Sequence, residues 1–225
     1  MKRIALLLLL VLSCVIRAAD VRVSFARGAW NPEQWMLVRT FRWEDFSSWI
    51  QEDDCIRNVC PSDCPPEDLI SKRAPETYIS MLWKEPLAKS ARTAISATLS
   101  FHDRMSAEIS LIPAPRTNAK GNLVSDEWWE IVLYNKGINV WHLRQAEGKA
   151  VIRRIAFVEH AFTPGRKYKL DVTLAPHWTK VPSLTVKCDG VAFGCAMESL
   201  PETFHAGVTA CEGTIRFYDF SLKTR

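Results

Sequence analysis

The sequence predicts an all-β chain folded as a sandwich or a barrel, and three observations carry that expectation. After about residue 20 the apolar residues recur with a period of two rather than the helical 3.6. About a dozen short runs of this kind are separated by turn signals such as "NKG", "TPGRK", "DG" and "CEG". No stretch makes a convincing amphipathic helix, and many strands without a helical layer must bury their apolar faces against one another.

The runs "VRVSF" (21–25), "WMLVRTF" (35–41), "TYISMLW" (77–83), "TAISATLSF" (93–101) and "AEISLI" (107–112) carry the alternation and the β-branched and aromatic residues of half-buried strands. "EIVLY" (130–134) and "INVWHL" (138–143) flank "NKG" and read as a hairpin. "AVIRRIAFV" (150–158), "YKLDVTL" (168–174), "LTVKC" (184–188), "VAFGCAM" (191–197), "HAGVTAC" (205–211) and "TIRFYDFSL" (214–222) continue the series. Residues 42–75 are the exception: "WEDFSSWIQ" has the makings of a short helix, and the prolines and polar residues of "CIRNVCPSDCPPED" make a loop. There is no internal repeat and no long linker, so residues 20–225 read as one domain with a cysteine-rich loop at about 50–70.

Composition narrows the function classes. With 48% hydrophobic and 24% charged residues the chain is of ordinary globular type. The formal charge of +4 owes most to Lys2, Arg3 and Arg17, and the rest of the chain carries 26 basic against 25 acidic side chains. That balance, without a basic run, excludes a nucleic acid as the expected partner. The opening "MKRIALLLLLVLSCVIRAAD" has the basic start, apolar middle and small-residue end of a secretory signal, expected to span residues 1–19. The alternative takes "VLSC" as a lipoprotein box, with Cys14 acylated. Neither reading includes a transmembrane segment, and both place the protein outside the cytoplasm; the oligomeric state is not legible.

Six further cysteines, Cys55, Cys60, Cys64, Cys188, Cys195 and Cys211, make an even set. In an exported chain this predicts up to three disulfides with fifteen possible connectivities, each contributing about 2–4 kcal/mol. A zinc site is the competing explanation, although the spacings are not paired C-x2-C. The acidic cluster "EDD" (52–54) is either a solvated loop or a structural calcium site; no other cofactor is evident.

The stretch "GRKYKLDVTL…SLTVKCDGVAFGCAM…HAGVTACEGTIRFYDFSLK" resembles the C-terminal half of the concanavalin A-like lectin/glucanase superfamily. It is most similar to laminin-G-like and 3-keto-disaccharide-hydrolase-like (DUF1080-type) domains. The resemblance implies a two-sheet antiparallel jelly-roll sandwich. The superfamily hosts lectins, hydrolases, lyases and adhesion modules alike, so function must be argued from the site.

The candidate site is the hairpin "DEWWEIVLYNKGINVWHLR" (126–144). A three-residue "NKG" loop with Gly137 left-handed pairs Glu130 with His142 and Trp128 with Arg144. Alternation then puts Trp129, Ile131, Leu133, Trp141 and Leu143 in the core. Trp128, Glu130, Tyr134, His142 and Arg144 share the opposite face. Flat aromatic rings beside carboxylate, imidazole and guanidinium groups suit a poly- or oligosaccharide, and the resemblance implies that such a face is concave. The competing explanation is an exposed sheet held by cross-strand pairs with no ligand. Catalysis would fall to Glu130 and His142 as an acid/base pair, in a glycoside hydrolase or polysaccharide lyase. "SDEWWEI" lacks the E-x-D-x-x-E signature of laminarinase-like hydrolases, and Asp126 stands roughly 13 Å along the strand from Glu130. The sequence thus predicts a secreted lectin-like domain, with the enzyme and a laminin-G-like adhesion or structural module as alternatives.

Overall fold

The computed structural model describes residues 20–43, 46–102, 107–179 and 181–225. The expected signal segment and Cys14 lie outside them. In chain order the described strands begin with β1 (Asp20–Ser24), β2 (Trp35–Leu37), β3 (Arg39–Thr40), β4 (Trp49–Gln51), β5 (Ile56–Asn58), β6 (Ile79–Trp83) and β7 (Leu87–Ala88). They continue with β8 (Thr93–Phe101), β9 (Ala107–Ile112), β10 (Arg116–Thr117), β11 (Leu123–Ser125), β12 (Glu127–Tyr134) and β13 (Gly137–Ala146). The last are β14 (Lys149–Glu159), β15 (Tyr168–Ala175), β16 (Ser183–Cys188), β17 (Val191–Ala196), β18 (Thr203–Ala210) and β19 (Ile215–Thr224). Two short helices, α1 (Pro66–Ile70) and α2 (Ala74–Thr77), carry a proline in their first two positions, Pro66 and Pro75, where a missing N–H is no loss.

Two antiparallel sheets of eight strands pack face to face as a jelly-roll sandwich. The first runs β17-β16-β15-β8-β19-β5-β4, with β1 also on β19. The second runs β14-β13-β12-β9-β18-β6-β2, with β7 also on β18. A small third sheet, β10-β11-β3, includes the parallel pair β11–β3. Alternation supplies the core: Ile95, Ala97, Leu99 and Phe101 from β8 meet Ile109 and Leu111 from β9 and Trp129, Ile131 and Leu133 from β12. In β19 a bulge between Phe217 and Asp219 lets both Phe217 and Phe220 reach that core despite their odd spacing.

Three expectations are corrected here. Residues 49–51 of the expected helix form β4 instead, and residues 44 and 45 lie outside the described set. Part of the expected cysteine loop is β5, paired to β19 through Arg57–Arg216 and Ile56–Phe217. The cause is tertiary: the buried Asn58 amide donates to the carbonyls of Thr77 and Gly213 while its Oδ1 accepts from Ile215 N–H. The third correction concerns the disulfides, since no two of the six cysteines lie at bonding distance. Cys188 is paired with Val191 and Cys195 with Leu184. That register sets the two thiols about four residues, roughly 13 Å, apart along neighbouring strands. Burial pushes the Cys55 and Cys188 thiols up to about 12, which suppresses the thiolate needed for oxidation. Alkylation of the denatured protein without reductant, followed by peptide mapping, should find all six cysteines modified; a recovered cystine peptide contradicts this.

Candidate functional site

The β12–β13 hairpin is one residue out of the register the sequence suggested. Tyr134 pairs with Gly137, so the loop is Asn135–Lys136 alone. Gly137 is already in the strand, at φ 151°, where a Cβ would sit 2.1 Å from the Val158 carbonyl oxygen of β14. The glycine serves a close approach between strands rather than the turn. With a side-chain period of two, this slip turns β13 over relative to β12.

His142 therefore lies opposite Trp129, on the face turned toward the sandwich interior, and stacks on it with centroids 4.6 Å apart and rings 7° from parallel. Its Nε2 is 2.7 Å from Oε1 of Glu127. An acid–imidazole pair exists, but with Glu127 rather than Glu130, and exposed Arg144 lies opposite Glu127. Trp141 and Leu143, expected in the main core, share the outer face with Trp128, Glu130 and Tyr134. Trp128 is fully buried in a second apolar cluster with Val38, Leu82, Ile112 and Leu143, and its Nε1 donates to the Ser125 carbonyl at 3.2 Å. It has no ring face to offer a sugar. Tyr134 is half-buried near Phe157.

The outer face of the second sheet nonetheless assembles a site. Ladder pairs align Trp141, Glu130, Ser110, Gly207 and Leu82 in one row. The next row holds Val132, Glu108, Thr209 and Ser80. Ser110, Thr209 and Ser80 hydroxyls join in a relay of two 2.8 Å bonds. Glu108 and Glu130 are diagonal neighbours on adjacent strands, a relation that sets α-carbons roughly 7–8 Å apart. The chain from Val38 to Trp43 crosses above, with Val38 in the second cluster and Phe41 packed against it. Beneath Arg42 and Trp43 lies a cavity of about 220 Å³ that Glu108, Glu130, Trp141 and Glu212 also line. Arg42 and Trp43 also wall a second cavity, of about 340 Å³, that reaches Arg116 and Asp126.

Burial governs the electrostatics. Glu130, 6% exposed, has its carboxyl pushed up to about 7, chiefly by burial, with Glu212 adding to the rise and Arg42 opposing it. The Tyr78 phenol is raised well above its usual range by burial and by Glu130 and Glu108. The Cys211 thiol is raised by burial and Glu212. The "EDD" acids belong elsewhere: Glu52 holds Arg216 and Arg57 at 2.7 Å each, Asp53 holds Arg27 at 2.9 Å and Asp54 holds Lys167 at 2.8 Å. Among the described residues no group of three His, Cys, Asp or Glu is arranged to hold a metal ion.

The sequence reading reached Glu130 and missed Arg42, Trp43, Glu108 and Glu212, and it assigned Trp141 to the core. Glu108 had a signal: in "AEISLI" alternation sets Glu108 and Ser110 together on the face opposite Ala107, Ile109 and Leu111. Arg42 and Trp43 had none, because nothing local marks a segment that crosses above a sheet.

A jelly-roll sandwich with a roofed acidic cavity on one sheet is the class this geometry defines. Solved structures share the fold. The carbohydrate-binding module CBM66 from Bacillus subtilis matches with a TM-score of 0.54 and 11% identity, covering 84% of this chain and 95% of that one. The Emp47p carbohydrate recognition domain matches at 0.56 and 13%, covering 90% and 94%. A glycoside hydrolase family 16 endo-glucanase from Bacteroides ovatus matches at 0.55 and 8%, covering 90% and 99%. No protein-family model and no curated protein matches the sequence. Among the described residues no helix is long and apolar enough to cross a membrane.

Proposed function

We propose that the protein is an exported carbohydrate-recognition domain that binds a poly- or oligosaccharide in the cavity beneath Arg42 and Trp43. The observation that carries this reading is the meeting, in one cavity, of two tryptophans with buried carboxylates and a guanidinium. Indole faces cover the apolar faces of a pyranose, and the charged groups bond its hydroxyls. Phe157, 38% exposed, and half-buried Tyr134 extend the aromatic surface along β14 and β12. Carbohydrate-binding modules and a lectin domain with the same fold support the reading.

Native affinity electrophoresis through a panel of plant, algal and host polysaccharides tests it. Retardation by at least one polysaccharide is expected, lost in Trp141→Ala and kept in Arg144→Ala on the other face. No retardation across the panel overturns the reading.

A second reading, hydrolysis, is favoured by the Glu130 carboxyl. Raised to about 7, it holds a proton near neutrality as a general acid must, with Glu108 diagonal to it as the second carboxyl group. Release of reducing ends from the retarding polysaccharide, abolished in Glu130→Gln, is the result that reading requires. Retardation without release leaves binding alone.

A further inference from the structure

Resting on the carbohydrate reading of the same cavity, the geometry points to a cationic sugar as its occupant: an unacetylated amino sugar whose ammonium bonds to Glu130. Three carboxylates, Glu108 from β9, Glu130 from β12 and Glu212 from the turn after β18, line a cavity to which Arg42 contributes the single guanidinium among the described residues.

Glu130 decides the matter. It is 6% exposed and sits in the middle of a row, with Trp141 on one side and Ser110 on the other. The Ser110 hydroxyl is engaged with Thr209. What acts on the Glu130 carboxyl is burial, Arg42 and Glu212, with no hydrogen bond among these influences. A buried carboxyl without a donor sheds its charge. An ammonium brings three donors and a positive charge to that place, and charge-assisted bonds of this kind are among the strongest in proteins. A hydroxyl or an acetamido group brings no charge.

The aromatic walls agree. The Arg42 guanidinium lies 4.2 Å from the Trp43 ring centroid and that of Arg154 5.7 Å from Trp141, so both rings already hold cations. The titratable groups facing Glu130 from the surrounding elements are Glu108, Glu212, the Tyr78 phenol, the Cys211 thiol and Arg42. Phenol and thiol stay neutral near pH 7, which among the described residues leaves the carboxylates, Arg42 and, across Trp141, Arg154 to set the field. When the amino sugar enters, Glu130 ionises; its proton passes to the sugar where the amine arrives neutral, and leaves to solvent where it arrives as an ammonium. A neutral sugar that accepts a bond from the protonated carboxyl draws a proton in.

Isothermal titration of the whole protein at about pH 5.5, where a glucosamine amine is an ammonium and Glu130 still holds its proton, separates these outcomes. The probes are β-1,4-linked tetramers of glucosamine, N-acetylglucosamine and glucose, each run in two buffers of different ionisation enthalpy. The glucosamine tetramer should bind at least about tenfold tighter than either neutral tetramer, at physiological salt, and with net proton release. Preference and release should both disappear in Glu130→Gln, whose fold is checked by circular dichroism. Equal or tighter binding of a neutral tetramer, or proton uptake with the glucosamine tetramer, overturns the proposal and leaves carbohydrate binding standing. Silence with all three, together with no retardation in the gels, overturns both.

Discussion

Replacing Glu130 by Gln should stabilise the protein by about 3 kcal/mol at about pH 8 and leave it nearly unchanged at about pH 4. The folded carboxyl holds its proton up to about 7, against the ordinary 4.5 it has in the unfolded chain. Between those values the native state binds more protons than the unfolded state, so stability falls as pH rises. The contribution is therefore intact below pH 4.5 and has been lost once the pH passes about 7. Each pH unit in that window is worth about 1.4 kcal/mol. Gln keeps the shape of Glu130 and cannot ionise, so the variant escapes the loss. In a domain of this size about 1 kcal/mol moves Tm by roughly 2–4 °C, and calorimetry at about pH 8 should find the variant some 5–10 °C more stable. A Tm difference that does not change between pH 4 and pH 8 would mean that Glu130 is not buried as described. Such a cost in stability at neutral pH is common for side chains at working sites and agrees with the role proposed for Glu130.

Much of the fold was legible because alternation is a local property. "TAISATLSF" and "AEISLI" became β8 and β9 with the expected boundaries, since their core residues are spaced by two in the sequence itself. The site was less legible because it depends on quantities that are not local. One residue of loop length at Asn135–Lys136 decided which face of β13 meets Glu130, and so replaced His142 by Trp141 as its neighbour. "WMLVRTF" read as one strand, yet only Trp35–Leu37 joins the second sheet, while Arg39–Thr40 leaves to pair in parallel with β11. That departure carries Arg42 and Trp43 over the carboxylates. The strand β5 was hidden for a related reason: three residues make no pattern, and Asn58 fixes them through bonds to positions 77, 213 and 215.

Gly207→Ala should lower stability by about 3–5 kcal/mol, a large effect for one added methyl group. Gly207 sits within β18, between Ser110 of β9 and Leu82 of β6. A Cβ there would lie 2.0 Å from the Met81 carbonyl oxygen and 2.6 Å from the Leu82 α-carbon. Both are backbone atoms of the neighbouring strand, so no rotamer change relieves the contact and β6 must move away. The movement reaches the site, because β6 carries Ser80, whose hydroxyl ends the relay through Thr209 and Ser110 beside the carboxylates. Gly194, in the edge strand β17 and paired with Thr185 of β16, is the control: its Cβ would meet only the Leu184 carbonyl oxygen, at 3.2 Å. Denaturant titration should separate the two alanine variants by at least about 2 kcal/mol. If Gly207→Ala unfolds like Gly194→Ala, the strands β6 and β18 are farther apart than described. The floor beneath Glu108 and Glu130 would then have to be redrawn. If the variant is destabilised as expected but still folded, the proposed glycan binding should fall more than in Gly194→Ala, because the spacing that excludes a methyl group also sets the row in which Glu130 stands.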